Sequence, residues 1–248
     1  MIIDCEHGNH DDGDMHDVVN TIASEGVSPI VRIRAGDYGL IKRALDCGAQ
    51  WVARLTPLAI PHRLQSRTLR AMRETRLTSS GIMIPMVNTV QDAQNIIKWS
   101  KFPPMGVRGQ GSSFSAISSG QSLTDYVKNA NSTLLTIVQI ETPEAVSNVD
   151  AIAALPGVDA LFIGPNDLAL SMLGYVPARG DEPEFVEALA KVKAACEKHG
   201  KYPGILGRGG AHAKEMSEKG WTLMGLGSDV RALQTAMMAT VAAAKGKA

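Results

Sequence analysis

Residues 134–168, LLTIVQIETPEAVSNVDAIAALPGVDALFIGPNDL, restrict the fold more than any other part of the chain. They hold two short apolar runs, Leu134–Ile140 and Val158–Ile163. Each ends in a polar cluster, Gln139-Ile140-Glu141 in the first and Gly164-Pro165-Asn166-Asp167 in the second. Between them, Pro143 opens a segment in which Ala145, Val146, Val149, Ile152 and Ala153 recur at helical spacing, which predicts a helix over 143–155. Two buried strands joined by a helix form a βαβ unit, which is parallel and right-handed. Parallel strands place their carboxyl ends on one side of the sheet, so Glu141 and Asp167 are expected to meet at one rim. Two carboxylates with a neighbouring amide suit a divalent metal held by oxygen ligands. The same pattern also fits carboxylates that cap the following helices and bind no metal.

The alternation continues along the chain. Apolar runs near 1–4, 29–33, 82–87, 134–140, 158–163, 202–206 and 222–226 read as strands. Helical patterns fall over 14–26, 38–47 (capped by Asp37), 89–100, 182–199, 211–219 and 229–244. Residues 103–120, PPMGVRGQGSSFSAISSG, read as one long loop of the kind that forms an active-site lid. Strands alternating with helices make the fold class α/β. An open doubly wound sheet would accommodate seven strands, but no GxGxxG or P-loop follows the first strand. Polar clusters also stand at nearly every strand end instead of at one switch point. Both observations favour a (β/α)8 TIM-type barrel as a single domain over 1–248, one strand short of the usual eight.

Lys+Arg and Asp+Glu both number 25, and aromatics make up 4%. A neutral chain with no aromatic platform gives no basis for binding nucleic acid or an acidic membrane. No apolar run approaches a membrane span, and Met1-Ile2-Ile3 leads straight into Asp4-Cys5-Glu6-His7 with no signal peptide. Three scattered cysteines and no CxxC fit a reducing compartment, so the expected location is cytoplasmic. Residues 51–80 stand apart, with six arginines and neither lysine nor glycine. A basic hairpin for an anionic partner is one reading, although Leu64, Leu69 and Met72 make a poor apolar stripe. A surface insertion is another. The favoured reading is non-native sequence such as translated intron, because removing the segment leaves an ordinary helix–loop–strand connection from Gln50 to Gly81.

In order, the motifs resemble those of the HpcH/HpaI aldolase family of metal-dependent class II pyruvate aldolases, within the phosphoenolpyruvate/pyruvate superfamily. The matching residues are Asp4-x-Glu6-His7-Gly8, Pro29-Ile30-Val31-Arg32, Leu45-Asp46-x-Gly48-Ala49, Pro85-Met86-Val87, Pro103-Pro104-x-Gly106-Val107-Arg108-Gly109, Gln139-Ile140-Glu141-Thr142 and Phe162-Ile163-Gly164-Pro165-Asn166-Asp167-Leu168. The resemblance implies that Glu141 and Asp167 ligate Mg²⁺ or Mn²⁺, with Gln139, Asn166 (through its backbone) and Asp167 contacting the substrate. It makes His7 the general base, acting through a metal-bound water, with Asp46 orienting it, and it has Arg32 steady the enolate. The implied reaction is retro-aldol cleavage of a 4-hydroxy-2-oxo acid to pyruvate and an aldehyde. Oxaloacetate decarboxylation of the macrophomate-synthase type, a CoA-ester lyase and an inactive remnant are the alternatives. Family barrels have a further strand and helix ahead of the position of Met1 and no counterpart to 51–80. They usually form hexamers that exchange the last helix, here 229–248, so a homo-oligomer is expected.

The chemistry asks for these residue types. Cleavage beside a 2-oxo acid leaves negative charge on the carbonyl oxygen, which a Lewis acid and a fixed guanidinium stabilise. Histidine titrates near working pH and suits the proton transfer. Schiff-base aldolases use a strand-borne lysine instead, but none of the seven strands ends in Lys and Lys42 lies mid-helix. Arg32 in an apolar strand requires a buried anion, from protein or ligand. His10, Asp11, Asp12, Asp14 and His16 form a metal-like cluster that reads as a solvated loop.

Overall fold

The computed structural model describes residues 1–49 and 81–246, so the anomalous 51–80 segment lies outside the described residues. Strands β1 (Ile2–Asp4), β2 (Ile30–Arg32), β3 (Gly81–Ile84), β4 (Leu135–Ile140), β5 (Ala160–Ile163), β6 (Tyr202–Leu206) and β7 (Leu223–Gly225) form one parallel sheet in sequence order. The helices are α1 (Asp12–Ser24), α2 (Tyr38–Asp46), α3 (Val90–Ser100), α4 (Phe114–Ser118), α5 (Leu123–Thr133), α6 (Pro143–Ala153), α7 (Pro165–Leu173), α8 (Pro183–His199), α9 (Gly210–Glu218) and α10 (Asp229–Ala244). All seven expected strands form, within two or three residues of their expected ends. Strand order following chain order, with a helical crossover each time, is barrel topology, here with seven staves among the described residues.

Alternation along each strand sorts side chains into two cores. Ile3, Val31, Ile82, Ile84, Val138, Ile140, Leu161 and Ile163 face the helices and join the main apolar cluster. Ile30, Met83, Ile137, Ala160 and Phe162 point the other way and make a smaller cluster on the opposite face. Each buried Ile or Leu contributes about 1.5–3 kcal/mol of transfer free energy. The second set leads to the site. Counting by twos from Ile137 gives Gln139 and then Glu141, and from Ile30 it gives Arg32. The interior column of the sheet therefore turns polar at the carboxyl ends of the strands.

Helix boundaries follow local chemistry. Thr142 caps α6 through the Ala145 N–H with Pro143 in its first turn, and Gly200 closes α8 in the left-handed region. Two expectations need correcting. The 103–120 stretch is interrupted by α4, and a whole helix, α5, follows it before β4. Its polar sequence LTDYVKNANST hides an apolar stripe of only Tyr126 and Ala130, with Thr133 beside them, and Ser122 caps it. The acidic cluster after β1 is a helix start instead of a loop. Asp11 caps α1 in a capping box with Asp14, Asp12 pairs with Arg43 at 3.3 Å, and His16 stacks edge-on against Phe114.

Candidate active site

The carboxyl ends of β1, β2, β4 and β5 supply the site. Asp4 and Arg32 are register partners on adjacent strands, and Arg32 Nε donates to Asp4 Oδ1 at 2.9 Å while its Nη2 donates to Oδ2. Asp4 also accepts the backbone N–H groups of Glu6 and His7, both at 3.1 Å, which folds the loop after β1 back over the strand end. Glu6 reaches the same guanidinium, 3.2 Å from Nη1. Burial opposes the charge on Arg32, but Asp4, Glu6 and Glu141 outweigh it and raise its pKa. Burial raises the Asp4 carboxyl too, yet bonding to Arg32 and to the two backbone N–H groups leaves it below its ordinary value.

Glu141 stands at the centre, 3% exposed. Its Oε1 accepts from Gln139 Nε2 at 2.6 Å and its Oε2 accepts from the Met86 N–H at 3.0 Å. Met86 holds φ at +55°, and this left-handed backbone delivers the N–H. Gly164 leaves the space that the carboxylate fills, since a Cβ there would lie 2.1 Å from Glu141 Oε1. Burial pushes Glu141 up to about 7; Asp167 and Glu6 add to the rise, against the Met86 N–H and Arg32. Burial also raises Glu6, against the pull of Arg32. Gln139 is buried on β4, and its Oε1 has no hydrogen-bond partner among the described residues. Asn166 and Asp167 lie exposed in the first turn of α7, at the end of β5 beside β4. No group of three or more His, Cys, Asp or Glu side chains disposed to hold a metal occurs among the described residues. Asp167 lies close enough for its charge to act on both Glu141 and Glu6.

The family profile described as HpcH/HpaI aldolase/citrate lyase matches residues 61–236, beginning inside the 51–80 segment. The chain belongs to the HpcH/HpaI aldolase/citrate lyase family. It is 32% identical to a hydroxypyruvate/pyruvate aldolase of Agrobacterium fabrum over 99% of this chain and 80% of the relative. A 5-keto-4-deoxy-D-glucarate aldolase of Escherichia coli is 29% identical over 95% of this chain and 79% of that protein. The crystal structure of an HpcH/HpaI aldolase from Desulfitobacterium hafniense superposes with a TM-score of 0.79 at 28% identity, covering 98% of this chain and 82% of that one. This HpcH/HpaI chain is a carbon–carbon lyase of the aldolase type.

The arrangement expected for His7 and Asp46 is not found. The His7 side chain is 63% exposed, 3.9 Å from Glu6 Oε2, and no hydrogen bond or ion pair joins it to Asp46. Asp46 ends α2, which turns it toward the 103–120 stretch. There it pairs with Lys42 and stands 3.6 Å from Arg108, while its carbonyl accepts from Ser112 Oγ at 2.9 Å. Arg108 is buried against the ring of Phe102, 4.4 Å from its centroid, and donates to the Tyr126 hydroxyl at 2.7 Å. Sequence reasoning assigned no role to Asp4, Met86 or Gly164. The Arg32 argument could have found Asp4, because a half-buried guanidinium on an apolar strand demanded an anion and Asp4 closes the neighbouring strand.

Proposed function

We propose that this family member cleaves a 4-hydroxy-2-oxo acid to pyruvate and an aldehyde with the help of a divalent cation held by Glu141 and Asp167. The observation that carries the reading is the charge balance at the rim. Arg32 is committed to Asp4 and Glu6, while Glu141 is buried beside further negative charge from Glu6 and Asp167. The residues fit a cation with few protein ligands, as Mg²⁺ or Mn²⁺ takes. Two carboxylates supply charge, Gln139 and Met86 fix the orientation of the Glu141 carboxylate, and the orphaned Gln139 Oε1 leaves acceptor capacity beside it. Bound there, the ion would polarise the 2-oxo group as a Lewis acid.

The chain's own groups do the rest. Arg32, fixed by two carboxylates, presents a preorganised positive charge to the oxygen that becomes anionic when the C3–C4 bond breaks. Gln139, Asn166 and Asp167 border the place for the pyruvate half. His7, exposed just beyond the end of β1, takes the proton of the 4-hydroxyl as the electron pair passes to C3. Asp46, tied to Arg108 and Ser112, anchors the 103–120 stretch against the end of α2. Helix α10 leaves Leu233, Met237 and Met238 exposed at 65%, 57% and 73%, which supports a homo-oligomer joined through this helix.

Pyruvate release from a panel of 4-hydroxy-2-oxo acids, followed after dialysis against EDTA and again with Mg²⁺ or Mn²⁺ restored, tests the reading. Activity is expected to vanish and return. Turnover that survives chelation, together with covalent trapping of pyruvate by borohydride, would replace this mechanism with a Schiff-base one.

A further inference from the structure

A cavity of about 450 Å³ lies between α8 and α9, on the side of the sheet that the chemistry above leaves unused. Ile205 of β6 is its floor, and Phe185, Met216 and Trp221 wall it; all four belong to the main apolar cluster between sheet and helices. Gln139 and Glu141 continue the column of Ile137 on the opposite face, so this space is no part of the catalytic rim. Its size is that of a small-molecule pocket.

The lining is cationic. Arg179, Lys193, Arg208 and Lys219 stand against Asp181 and Glu215. Lys193 and Lys219 are paired one helical turn away, with Glu197 and Glu215. Neither Arg179 nor Arg208 has a carboxylate within ion-pairing distance among the described residues. Arg208 is fixed by other bonds. Its Nη1 donates to the Arg179 carbonyl, and its backbone N–H donates to His212 Nδ1 at 3.2 Å. Because Nδ1 accepts there, the neutral His212 ring carries its proton on Nε2, a further donor in the cavity wall. Gly180, at φ +70°, lets the 174–182 connection lie against the Arg208 guanidinium, where a Cβ would stand 3.2 Å from Nη1. Gly209 gives α9 no side-chain cap, so the first-turn N–H groups next to Arg208 lack a side-chain acceptor as well.

We propose that this cavity is an effector site, separate from the active site, for a small molecule that joins one carboxylate to a short aryl or alkyl body. The carboxylate meets Arg208, Arg179 and His212, and the body fills the space between Phe185, Leu189, Met216 and Trp221. Guanidinia without carboxylate partners select an anion, and the apolar walls favour one that brings surface to bury. The chain supplies a route to the active site. Pro165 and Asn166 line the cavity too, and Asp167 follows them in the first turn of α7, so an occupant bears on the helix start that carries Asp167. The binding site stands whatever the reaction; only its effect on turnover rests on the aldolase reading above.

Calorimetric titration with 4-phenylbutanoate, 4-phenylbutan-1-ol and acetate separates the two halves of the ligand. The acid should bind, the alcohol should bind about tenfold more weakly, and acetate should not bind measurably. Arg208→Gln should weaken the acid about tenfold, and Arg208→Lys should restore part of the loss. Leu189→Trp, which fills the apolar space, should abolish binding while circular dichroism stays native. Glu141→Gln should bind the acid as the wild type does. An alcohol that binds as well as the acid, an Arg208→Gln variant that binds it undiminished, or loss of binding in Glu141→Gln overturns the assignment. In pyruvate release from a 4-hydroxy-2-oxo acid, saturating 4-phenylbutanoate should lower the wild-type kcat about fivefold, because a filled cavity restrains the turn that carries Asp167. Arg208→Gln, with ligand-free turnover like that of the wild type, should respond less than about two-fold at the same concentration. An unchanged wild-type kcat removes the effector role. If neither protein releases pyruvate, the aldolase reading falls, and the titrations still decide the cavity.

Discussion

Replacing Glu141 by Gln should make the cation-free protein more stable at neutral pH while abolishing turnover. Glu141 titrates at an ordinary 4.5 in the unfolded chain and near 7 in the fold, where burial and the charges of Asp167 and Glu6 resist its ionisation. A folded pKa above the unfolded one means stability present below pH 4.5 and lost as pH rises through 7. At 1.36 kcal/mol per pKa unit the loss is about 3 kcal/mol, and with only 3% exposure solvent screens little of it. Gln carries no charge, so the variant forfeits nothing over this range. It can still accept from the Met86 N–H, and its amide can donate to Gln139 if that side chain flips, giving a partner to an oxygen that now lacks one. Urea unfolding in EDTA at half-unit intervals from pH 5 to 8 measures the difference. Variant and wild type should lie close at pH 5 and diverge to about 3 kcal/mol at pH 8, roughly 1 M in midpoint. A pH-independent difference, or a variant less stable at pH 8, would refute the account of Glu141 as a carboxylate strained by its neighbours.

Gly164→Ala places a Cβ 2.1 Å from the present Glu141 Oε1, so the carboxylate must turn away; kcat/KM should fall by about 100-fold or more while circular dichroism stays native. Asp4→Asn removes one of the two anions on Arg32 and should cost about 1–2 kcal/mol in urea unfolding at pH 7, a value reduced because Asp4 is one-third exposed. Since Asp4 titrates below its ordinary value of 3.8, that gap should shrink once pH falls below it. Arg108→Met leaves Asp46 without its buried partner and should release the 103–120 loop, read as faster cleavage there in limited proteolysis. The apparent affinity for Mn²⁺ should weaken about tenfold per pH unit below 7, because the ion must displace the Glu141 proton; calorimetric titration at pH 5.5 and 7.5 checks this.

The sheet was legible because period-two alternation of Ile137, Gln139 and Glu141 against Val138 and Ile140 is written directly in residue types. The expectation that Glu141 and Asp167 stand at one rim rested on parallel topology alone. Helix α5 escaped notice because its buried stripe is two side chains wide and one of its inner residues is Thr133. Met86 escaped because its contribution is a backbone N–H at positive φ, and methionine carries no signal for that conformation. The Asp46–His7 pairing rested on family resemblance, with no register to check it. In the fold Asp46, at the end of α2, faces the 103–120 stretch, on a different element from the exposed His7.

Register explains why Arg32 cannot do alone what the site requires. Asp4 is its partner across the β1–β2 ladder, and Glu6 follows two residues later, so two carboxylates already oppose one guanidinium. Glu141 adds a third negative group and Asp167 a fourth, and Glu141 sits where little solvent can screen it. The protein by itself relieves that excess by holding protons more tightly, on Glu141 up to about 7 and on Glu6 above its ordinary value. The proposed divalent cation would relieve it without the proton, and would leave Arg32 positioned by Asp4 and Glu6 to receive the negative charge that bond cleavage creates. The rim is thus too acidic to be at rest when ionised, which is the electrostatic setting in which the proposed cation would hold a 2-oxo acid.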